Sequence, residues 1–355
     1  MIDNYDVIIV GAGFAGLAMA RVLCREGLSV LVMERKKTAG QGMHTTGILV
    51  KEALPLLTPP AELTREISRV LLHSPKGQTM ALQKSDYFFL ATDTPALMQW
   101  MSDVAQSEGV KIAMATPYQG AEITANGIKL HGYPITGRFL IGADGARSRV
   151  ARDFSLGTNQ RFLLGVEAEY RHYDIAPNDG FHCFFGQKFA AGYLGWAVPA
   201  PGYSQIGLAC IEPHKPNIHH FSQMVAKRLH ITLPPVTERR GGLIPVGGLV
   251  KKLGNERVLL VGDAAGMVSP LSAGGIHTAL HYGELMGDIL AKWLRNKGSH
   301  PVAVAQKSYP HFHTKQVMRR LYEYWPDCLT EMGFNVANTG FNILAKRIFL
   351  HPKKL

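Results

Sequence analysis

The chain has 355 residues, 46% of them hydrophobic and 18% charged, a composition that excludes wholesale disorder and leaves room for two domains or for one domain with a large insertion. Its 38 Lys and Arg residues against 27 Asp and Glu residues give a net charge of +11, which suits an anionic substrate or an acidic membrane surface. The four cysteines form no CxxC pair, and the histidines show no pair at metal-ligand spacing with a supporting carboxylate, so we expect neither a disulfide framework nor a metal. No apolar run reaches the roughly 18 residues of a membrane span, so we expect no spanning helix.

The opening stretch, residues 5–35, has the order strand, glycine-rich turn, helix and strand. The turn fits G-x-G-x-x-G and supplies the first candidate cofactor-binding residues, Gly11, Gly13, Phe14, Ala15 and Gly16. The second strand, residues 30–33, delivers Glu34 and then Arg35 at its carboxyl end. Such glycines let the backbone approach a pyrophosphate at a helix start, and an acid at this distance accepts a hydrogen bond from a ribose hydroxyl. The pattern therefore predicts a dinucleotide site.

The loop at residues 36–49 is rich in glycine and threonine, and we expect it to pass under the cofactor. Within it, Thr46 and Gly47 are candidate cofactor-binding residues, and His44 is a candidate substrate-binding residue.

Four elements are predicted in the segment that follows. The spacing of apolar residues at 63–71 predicts a helix, and a Pro-Lys-Gly sequence at 75–77 predicts the turn of a hairpin. Asp93 ahead of Pro95 predicts the start of a second helix, because a capping residue precedes a proline. An Asn-Gly pair at 126–127 predicts another tight hairpin turn.

Two further glycine and acid motifs follow apolar strands that end near residues 142 and 261. They supply the remaining candidate cofactor-binding residues, Asp144, Gly145, Gly262, Asp263, Gly274, Gly275 and Ile276. An acid at a strand end can accept hydrogen bonds from ribityl hydroxyls, and the helix that opens at residues 274–276 aims N–H groups at flavin O2 and N1. A nicotinamide dehydrogenase needs only the first motif, so the three stretches together predict FAD.

Residues 159–212 alternate with period two and contain many aromatics and glycines, which predicts an antiparallel sheet. Seven aromatic side chains in it are spaced so that some of them line an apolar tunnel: Phe162, Phe181, Phe184, Phe185, Phe189, Tyr193 and Trp196. We select Tyr193 and Trp196 as candidate substrate-binding residues. A short helix is expected after the sheet, at residues 219–229.

The three motifs resemble, in order and spacing, the fingerprints of the p-hydroxybenzoate hydroxylase superfamily of flavoproteins. The sequence GDAAG at 262–266, followed by Pro270 and by GGI at 274–276, is most similar to the geranylgeranyl reductase branch. The segment YLGWAVP at 193–199 is similar to one that lines the substrate cavity of those reductases. One departure is the loop HTTG at 44–47, which lacks the cysteine that some archaeal geranylgeranyl reductases carry there.

The resemblance implies an FAD-dependent oxidoreductase that, like a geranylgeranyl reductase, reduces C=C bonds of an isoprenoid or lipid-like substrate with hydride from flavin N5. Two alternatives stay open: an FAD-dependent monooxygenase or halogenase, and an electron-transfer flavoprotein that serves a quinone or a protein partner. The expected partners are an apolar small molecule and an external electron donor, which the sequence does not identify because it has no second dinucleotide fingerprint. No nucleic-acid partner is expected, and no catalytic residue is assigned.

The expected fold class is α/β: a Rossmann-type FAD-binding domain with an inserted antiparallel β-sheet substrate domain and a helical C-terminal tail. The boundaries assigned are 1–72, 90–158 and 251–300 for the FAD-binding domain, 73–89 and 159–250 for the substrate domain, and 301–355 for the C-terminal segment.

The tail is basic and aromatic, with helices expected at residues 316–324 and 340–349. Two interpretations of it are open: a helix that lies at a membrane surface, or a helical cap over the substrate sheet. Because no basic and apolar leader precedes the first strand, the expected location is the cytoplasm, with peripheral membrane contact under the first interpretation.

Overall fold

The computed structural model describes residues 3–175 and 180–335. The helices in these residues are α1 (Phe14–Arg25), α2 (Thr94–Ser107), α3 (Arg149–Asp153), α4 (Ile218–Leu229), α5 (Ile276–Leu294), α6 (Pro301–Ser308), α7 (His313–Glu323) and α8 (Asp327–Asn335). The strands are β1 (Asp3–Val10), β2 (Val30–Met33), β3 (Ile48–Val50), β4 (Thr64–Ile67), β5 (Arg69–His73), β6 (Thr79–Gln83), β7 (Phe89–Thr92), β8 (Lys111–Ala113), β9 (Ala121–Thr124), β10 (Gly127–Leu130), β11 (Ile135–Gly142), β12 (Phe162–Arg171), β13 (Gly180–Phe185), β14 (Leu194–Ala200), β15 (Tyr203–Ile211), β16 (Glu238–Pro245) and β17 (Val258–Leu260).

The first sheet is the parallel sheet expected at the opening of the chain. Strands β8, β2, β1, β11 and β17 are parallel, and β10 and β9 extend the sheet as antiparallel strands. The carboxyl half of β1 is nearly inaccessible to solvent, as its continuous apolar sequence predicts. Helix α1 packs closely on α5 because Gly283 has no side chain: a Cβ there would lie 2.8 Å from the carbonyl oxygen of Ala15. The expected α/β fold class is confirmed.

The second sheet has the order β16-β12-β15-β14-β13-β5-β6. Its pairs are antiparallel, as expected, except that β13 runs parallel to β5. One face is covered by α4, whose Phe221 packs against Phe184, and the other face forms a second apolar cluster that includes Trp196 and Cys183. The domain boundaries stay a prediction, although β5, placed largely in the FAD-binding domain by the sequence, belongs to this sheet.

The helix predicted from the spacing at residues 63–71 is wrong. This segment forms β4, which pairs with β7 in a third, three-stranded sheet with β3, and β5, which pairs with β6 and β13. Ile67, Val70 and Leu72 are fully buried, and the last two are two residues apart on one face of a strand. Pairing with distant strands therefore overrides a local spacing that was compatible with a helix, and the β-branched residues favour that outcome.

Several other boundaries agree with the sequence. Helix α2 begins after Asp93, whose carboxylate accepts a hydrogen bond from the backbone N–H of Ala96 at 3.2 Å. Helix α5 begins directly after Gly275, and the hairpin turns at 75–77 and 126–127 join β5 to β6 and β9 to β10.

The tail helices α7 and α8 lie against the second sheet. The hydroxyl of Tyr322 on α7 donates to the carbonyl of Tyr193 at 2.7 Å, and the carboxylate of Asp327 on α8 accepts from the backbone N–H of Gln187 at 2.9 Å. The helix expected at residues 340–349 lies outside the described residues. None of the helices in residues 3–175 and 180–335 combines the length and the apolar character that a bilayer crossing requires.

Two neighbouring strands of the second sheet, β5 and β13, bury a pair of histidines. The ring nitrogens His73 Nε2 and His182 Nδ1 are 2.9 Å apart, and the hydroxyl of Thr79 is 3.1 Å from His73 Nδ1. The rings are only 5% and 8% exposed, and His73 stacks on Phe184. Burial, and then the charges of His182 and Arg228, lowers the pKa of His73 to about 3; burial also lowers the pKa of His182 to about 4.

These shifts predict acid sensitivity. An unfolded chain binds a proton at each ring near pH 6.5, whereas the folded chain does not, so stability is lost as the pH falls from about 6.5 toward 4. Between pH 7.5 and pH 5 the free energy of unfolding, measured by urea titration, should fall in both proteins. We expect the fall to be about 2 kcal/mol smaller in His73→Phe than in the wild type. His220→Phe, at an exposed position on α4, is the control and should match the wild type. Equal losses in His73→Phe and wild type would contradict the assignment.

Candidate active site

A cavity of about 1570 Å³ lies between the carboxyl ends of the parallel strands and the inner face of the second sheet. Pockets that hold one small molecule usually occupy roughly 300–1,000 Å³, so this cavity has room for a dinucleotide and a second molecule. Almost all of the site residues predicted from the sequence lie in its wall: Gly11, Gly13, Phe14, Ala15, Glu34, Arg35, His44, Thr46, Gly47, Asp144, Gly145, Tyr193, Trp196, Gly262, Asp263, Gly274, Gly275 and Ile276. The structure therefore brings the three separated motifs together.

Gly16 is the one predicted site residue that lies behind the wall. A Cβ at Gly16 would collide with the carbonyl oxygen of Gly11, so the glycine is required for the tight packing of the turn. Gly13, by contrast, faces open space, since a Cβ at this position would meet no atom within 4 Å, and it precedes α1 without a side-chain cap. The first N–H groups of α1 thus meet the cavity at a point where an anionic group fits.

Two carboxylates at strand ends are fixed by backbone donors. Glu34 accepts hydrogen bonds from the N–H of Ala12 at 3.0 Å and of Lys36 at 2.9 Å, one on each oxygen. Asp144 uses Oδ2 to accept from the N–H groups of Arg149 and Val150, at 2.6 and 3.1 Å. Its other oxygen, Oδ1, is buried and has no protein partner among the described residues, and burial raises the pKa of this carboxyl group. An orphaned acceptor in a cavity wall fits a ligand that carries hydroxyl donors.

The third motif closes the same end of the cavity. Asp263 follows β17, and burial raises the pKa of its carboxyl group to about 6. Gly275 stands next to it, because a Cβ there would lie 3.4 Å from Asp263 Oδ1, and α5 starts from Gly275 without a side-chain cap. This end therefore offers a buried acceptor beside the N-terminus of a helix that has no side-chain cap. Together with the α1 turn and the Glu34 carboxylate, it fits an elongated dinucleotide such as FAD.

The opposite half of the cavity is apolar and is built on the second sheet. Of the seven aromatic residues selected from the sequence, four line it: Phe181, Phe185, Tyr193 and Trp196. Phe184 and Phe189 do not, because they lie on the face covered by α4 and pack against Phe221 at ring-centroid distances of 5.7 and 5.3 Å. Phe162 does not either, and its ring lies under the Arg147 guanidinium. Alternation along a strand explains the split, since neighbouring residues point to opposite faces.

Tyr193 connects the sheet to two other parts of the wall. Its hydroxyl donates to the carbonyl of Ser272, in the loop before α5, at 2.8 Å, and its own carbonyl accepts the hydroxyl of Tyr322 from α7. The Arg319 guanidinium lies 5.3 Å from its ring centroid. Burial raises the pKa of the Tyr193 hydroxyl. The side chain is therefore held between the sheet, the loop before α5 and the tail.

A polar cluster in the wall was missed by the sequence analysis. Glu167 Oε1 accepts hydrogen bonds from the hydroxyl of Thr46 at 2.6 Å and from the indole N–H of Trp196 at 2.8 Å. Gln205 donates to the carbonyl of Thr46 at 2.7 Å and accepts from the guanidinium of Arg240 at 3.1 Å. The cluster thus fastens the loop before β3 to the second sheet.

His44 lies against the same cluster, packed over Gly242, where a Cβ would lie 2.6 Å from the His44 Cβ. Burial, and then the nearby charges of Lys36, Arg35 and Arg240, lowers the pKa of His44, so its ring is neutral at physiological pH. A sequence signal for the cluster existed: β12 carries two acids at alternate positions, Glu167 and Glu169, within a largely apolar strand in which Ala168 between them is buried. Charges on one face of an otherwise buried strand indicate a polar site there.

The tail also contributes to the wall of the cavity. Lys315, Met318, Leu321, Tyr322 and Trp325 line the cavity from α7 and from the short connection to α8. Leu321 and Trp325 are at the same time 62% and 42% exposed, so this part of the tail forms the rim of the cavity mouth.

Comparison with known families decides the cofactor class. The sequence profile of the FAD binding domain family matches residues 76–320, well over half of the chain, and that of the FAD dependent oxidoreductase family matches residues 6–145. The chain belongs to the FAD binding domain family. This flavoprotein is an FAD-dependent oxidoreductase, as predicted, and the individual cofactor-binding and substrate-binding residues stay predictions.

Curated relatives of the flavoprotein include the digeranylgeranylglycerophospholipid reductase of Methanococcus vannielii, which is 27% identical over 83% of this chain and 79% of the relative. Digeranylgeranylglycerophospholipid reductase 1 of Methanothermobacter thermautotrophicus is 27% identical over 95% of this chain and 85% of the relative. The expected likeness to the geranylgeranyl reductase branch is confirmed.

Among solved structures, a geranylgeranyl bacteriochlorophyll reductase-like protein from Thermoplasma acidophilum superimposes with a TM-score of 0.84 at 16% identity, covering 98% of this chain and 96% of that one. A probable FAD-dependent monooxygenase from Pseudomonas aeruginosa gives 0.73 at 16% identity, covering 94% and 100%. At these identities the flavoprotein shares their fold, and the fold is common to reductases and oxygenases.

Because the space beside Gly13 is open, we expect a substitution there to weaken cofactor binding without lowering the stability of the protein. Gly13→Ala should fold with an unchanged melting temperature, because nothing in the protein opposes the added methyl group, but its FAD dissociation constant should rise about tenfold or more since the methyl enters the dinucleotide path. Gly247→Ala is the matched control. The added Cβ would also meet no close atom, since the nearest, on Arg161, is 3.6 Å away, and Gly247 does not line this cavity. Thermal melts compare the stabilities, and fluorescence titration of apoprotein with FAD compares the affinities. Equal affinities in the two variants would refute the placement of the turn.

Proposed function

We propose that this flavoprotein is an FAD-dependent reductase that saturates C=C bonds of an isoprenoid or other lipid-like substrate. The observation that carries the proposal is the apolar half of the cavity, which continues from the predicted flavin end along the inner face of the second sheet to α7. Its wall is made mainly of aliphatic and aromatic side chains, among them Leu72, Phe89, Phe181, Phe185, Leu194 and Ile244. Such a surface binds a hydrocarbon chain by the hydrophobic effect and offers little to a charged metabolite.

In this proposal the cofactor extends across the strand ends of the first sheet. Gly11, Gly13 and the start of α1 hold the pyrophosphate, and Glu34 accepts hydrogen bonds from the adenosine ribose. Asp263 accepts hydrogen bonds from the ribityl chain, and the start of α5 stabilises negative charge on the ring system. Bound FAD, once reduced, would supply the hydride, which carries both of the electrons that the reduction needs.

The activities of the relatives support the same substrate class. Digeranylgeranylglycerophospholipid reductases act, by their name, on lipids that carry unsaturated isoprenoid chains, and the relatives match along most of their length. The protein's own contribution in such a reaction is to exclude water, to orient the chain and to supply a proton.

We further propose that the protein works at the cytoplasmic surface of a membrane, where a lipid substrate resides. Six large apolar side chains on or beside α7 and α8 are exposed: Val317, Leu321, Tyr324, Trp325, Leu329 and Met332. Clustered exposed apolar groups are uncommon on monomeric proteins and mark contact surfaces. Two of them also rim the cavity mouth, and the net charge of +11 favours an anionic lipid surface. A lipid can therefore pass from the bilayer into the cavity under α7.

The reaction is tested by anaerobic turnover. FAD-loaded protein is reduced with dithionite and mixed with digeranylgeranylglycerophospholipid in detergent micelles, and the lipid is examined by mass spectrometry. We expect two hydrogens to be added per reduced double bond, with the flavin absorbance returning to the oxidised form at the same rate. Lipid that keeps its double bonds under anaerobic conditions but is hydroxylated when oxygen is admitted, or halogenated when oxygen and halide are admitted, would instead indicate a monooxygenase or halogenase. Unchanged lipid with rapid reoxidation by a quinone would indicate electron transfer.

The proposed membrane contact of α7 is tested by placing one negative charge in it. Leu321→Glu should reduce co-sedimentation with vesicles that contain anionic lipid about tenfold, because a carboxylate placed at the contact opposes both the apolar and the electrostatic attraction. Ile123→Glu on β9 is the matched control, since Ile123 is also apolar and 46% exposed but lies in the first sheet. Equal pelleting of the two variants would remove α7 from the contact.

A further inference from the structure

Saturating a C=C bond requires an acid as well as a hydride, because one carbon receives a hydride and the other a proton. An isolated alkene has no carbonyl group to stabilise negative charge, so a well-placed proton donor is needed to make it accept hydride. The question that follows from the proposed function is which side chain in the apolar half of the cavity supplies that proton.

The acids in the sheet-side wall differ in their suitability. Burial raises the pKa of the Cys183 thiol and of the Tyr193 hydroxyl, which makes both weaker acids, and the Tyr193 proton is already donated to a carbonyl. His44 has a lowered pKa and is neutral. Arg240 does not release a proton in proteins. Glu167 is the carboxyl group that remains in this part of the wall.

The geometry of Glu167 is that of a donor with one free oxygen. Both hydrogen bonds from Thr46 and Trp196 reach Oε1, and within residues 3–175 and 180–335 the structure contains no hydrogen bond to Oε2. Oε2 is therefore the oxygen that is left for contact with a substrate, while Oε1 keeps its two donors. The contact between Glu167 and Trp196 depends on the lack of a side chain at Gly207. A Cβ at this position would collide with both residues, at 2.5 Å from the Trp196 ring and 2.6 Å from Glu167 Cγ.

We propose that Glu167 is the proton donor of the C=C reduction, an inference that rests on the proposed function above. In the step, the π bond breaks, one new C–H bond forms with the hydride derived from reduced FAD, and the other forms with the proton from Oε2. Glu167 is left as a carboxylate and regains a proton from water before the next turnover. Its hydrogen bonds to Thr46 and Trp196, and Arg240 opposite it on β16, stabilise the negative charge that it then carries.

The matched variants are Glu167→Gln and Glu169→Gln. Glutamine at 167 keeps an oxygen that accepts from Thr46 and Trp196 but has no acidic proton. Glu169 lies two residues along the same strand, is equally buried and pairs with Arg171 and Arg240, but it does not line the cavity. Both variants are loaded with FAD, reduced with dithionite and mixed anaerobically with digeranylgeranylglycerophospholipid in micelles.

We expect Glu167→Gln to bind FAD and to accept electrons from dithionite as the wild type does, but to reduce the lipid at least about 100-fold more slowly, the usual contribution of a general acid. Glu169→Gln should stay within a few-fold of the wild type. A second readout needs no turnover: infrared difference spectra of FAD-free protein, with and without the lipid, should contain a protonated-carboxyl band that Glu167→Gln lacks and Glu169→Gln retains.

Three outcomes are decisive. Slow lipid reduction with normal FAD binding, and loss of the infrared band, supports the inference. Wild-type rates in Glu167→Gln, or a carboxyl band that survives in it, overturns the inference and leaves the proposed function intact. A wild-type protein that reduces no C=C bond of the lipid overturns both.

Discussion

The site depends on how one short loop is fastened between two sheets. Thr46 follows the second strand of the nucleotide-binding half, yet its hydroxyl and its carbonyl are bonded to Glu167 and Gln205 of the other half. Because both groups of one residue are tied, the loop cannot shift without leaving a buried acceptor or donor unpaired, which costs roughly 1–3 kcal/mol for each. This constraint holds the apolar wall against the flavin end, so that the two halves form one cavity.

The polar cluster around that loop is buried in a region that is otherwise apolar, and it persists because its charges are compensated. Glu169 lies near both Arg171 and Arg240, at 3.0 and 3.5 Å, and Arg240 also reaches Gln205. A buried ion cluster of this kind contributes little net stability, since desolvation offsets much of the attraction. Its value is positional: it gives a hydrocarbon cavity one defined polar point, and that point is an acid beside Trp196.

What could be predicted from the sequence was what local chemistry determines. The turn at Gly11, the start of α2 and the strand before Asp263 depend on neighbours in the chain, and their positions agree with the structure. The strands at 64–73 were missed because their identity is decided by pairing with β7 and β13, far along the chain. The polar cluster was missed for the same reason, since Thr46 and Glu167 are 121 residues apart. The spacing of residues along the sequence does not reveal contacts between such distant positions.

Tyr193 makes hydrogen bonds at both ends of the cavity and so connects them. Its hydroxyl is bound to the loop that leads into α5, and its backbone carbonyl is bound to α7 at the mouth. An outward swing of α7 therefore breaks the bond from Tyr322 and strains the residue that braces the start of the flavin-side helix. Under the proposed function, a long substrate or product that passes beneath α7 would disturb the same residue that contacts the loop before α5, so events at the mouth would be felt at the opposite end of the cavity.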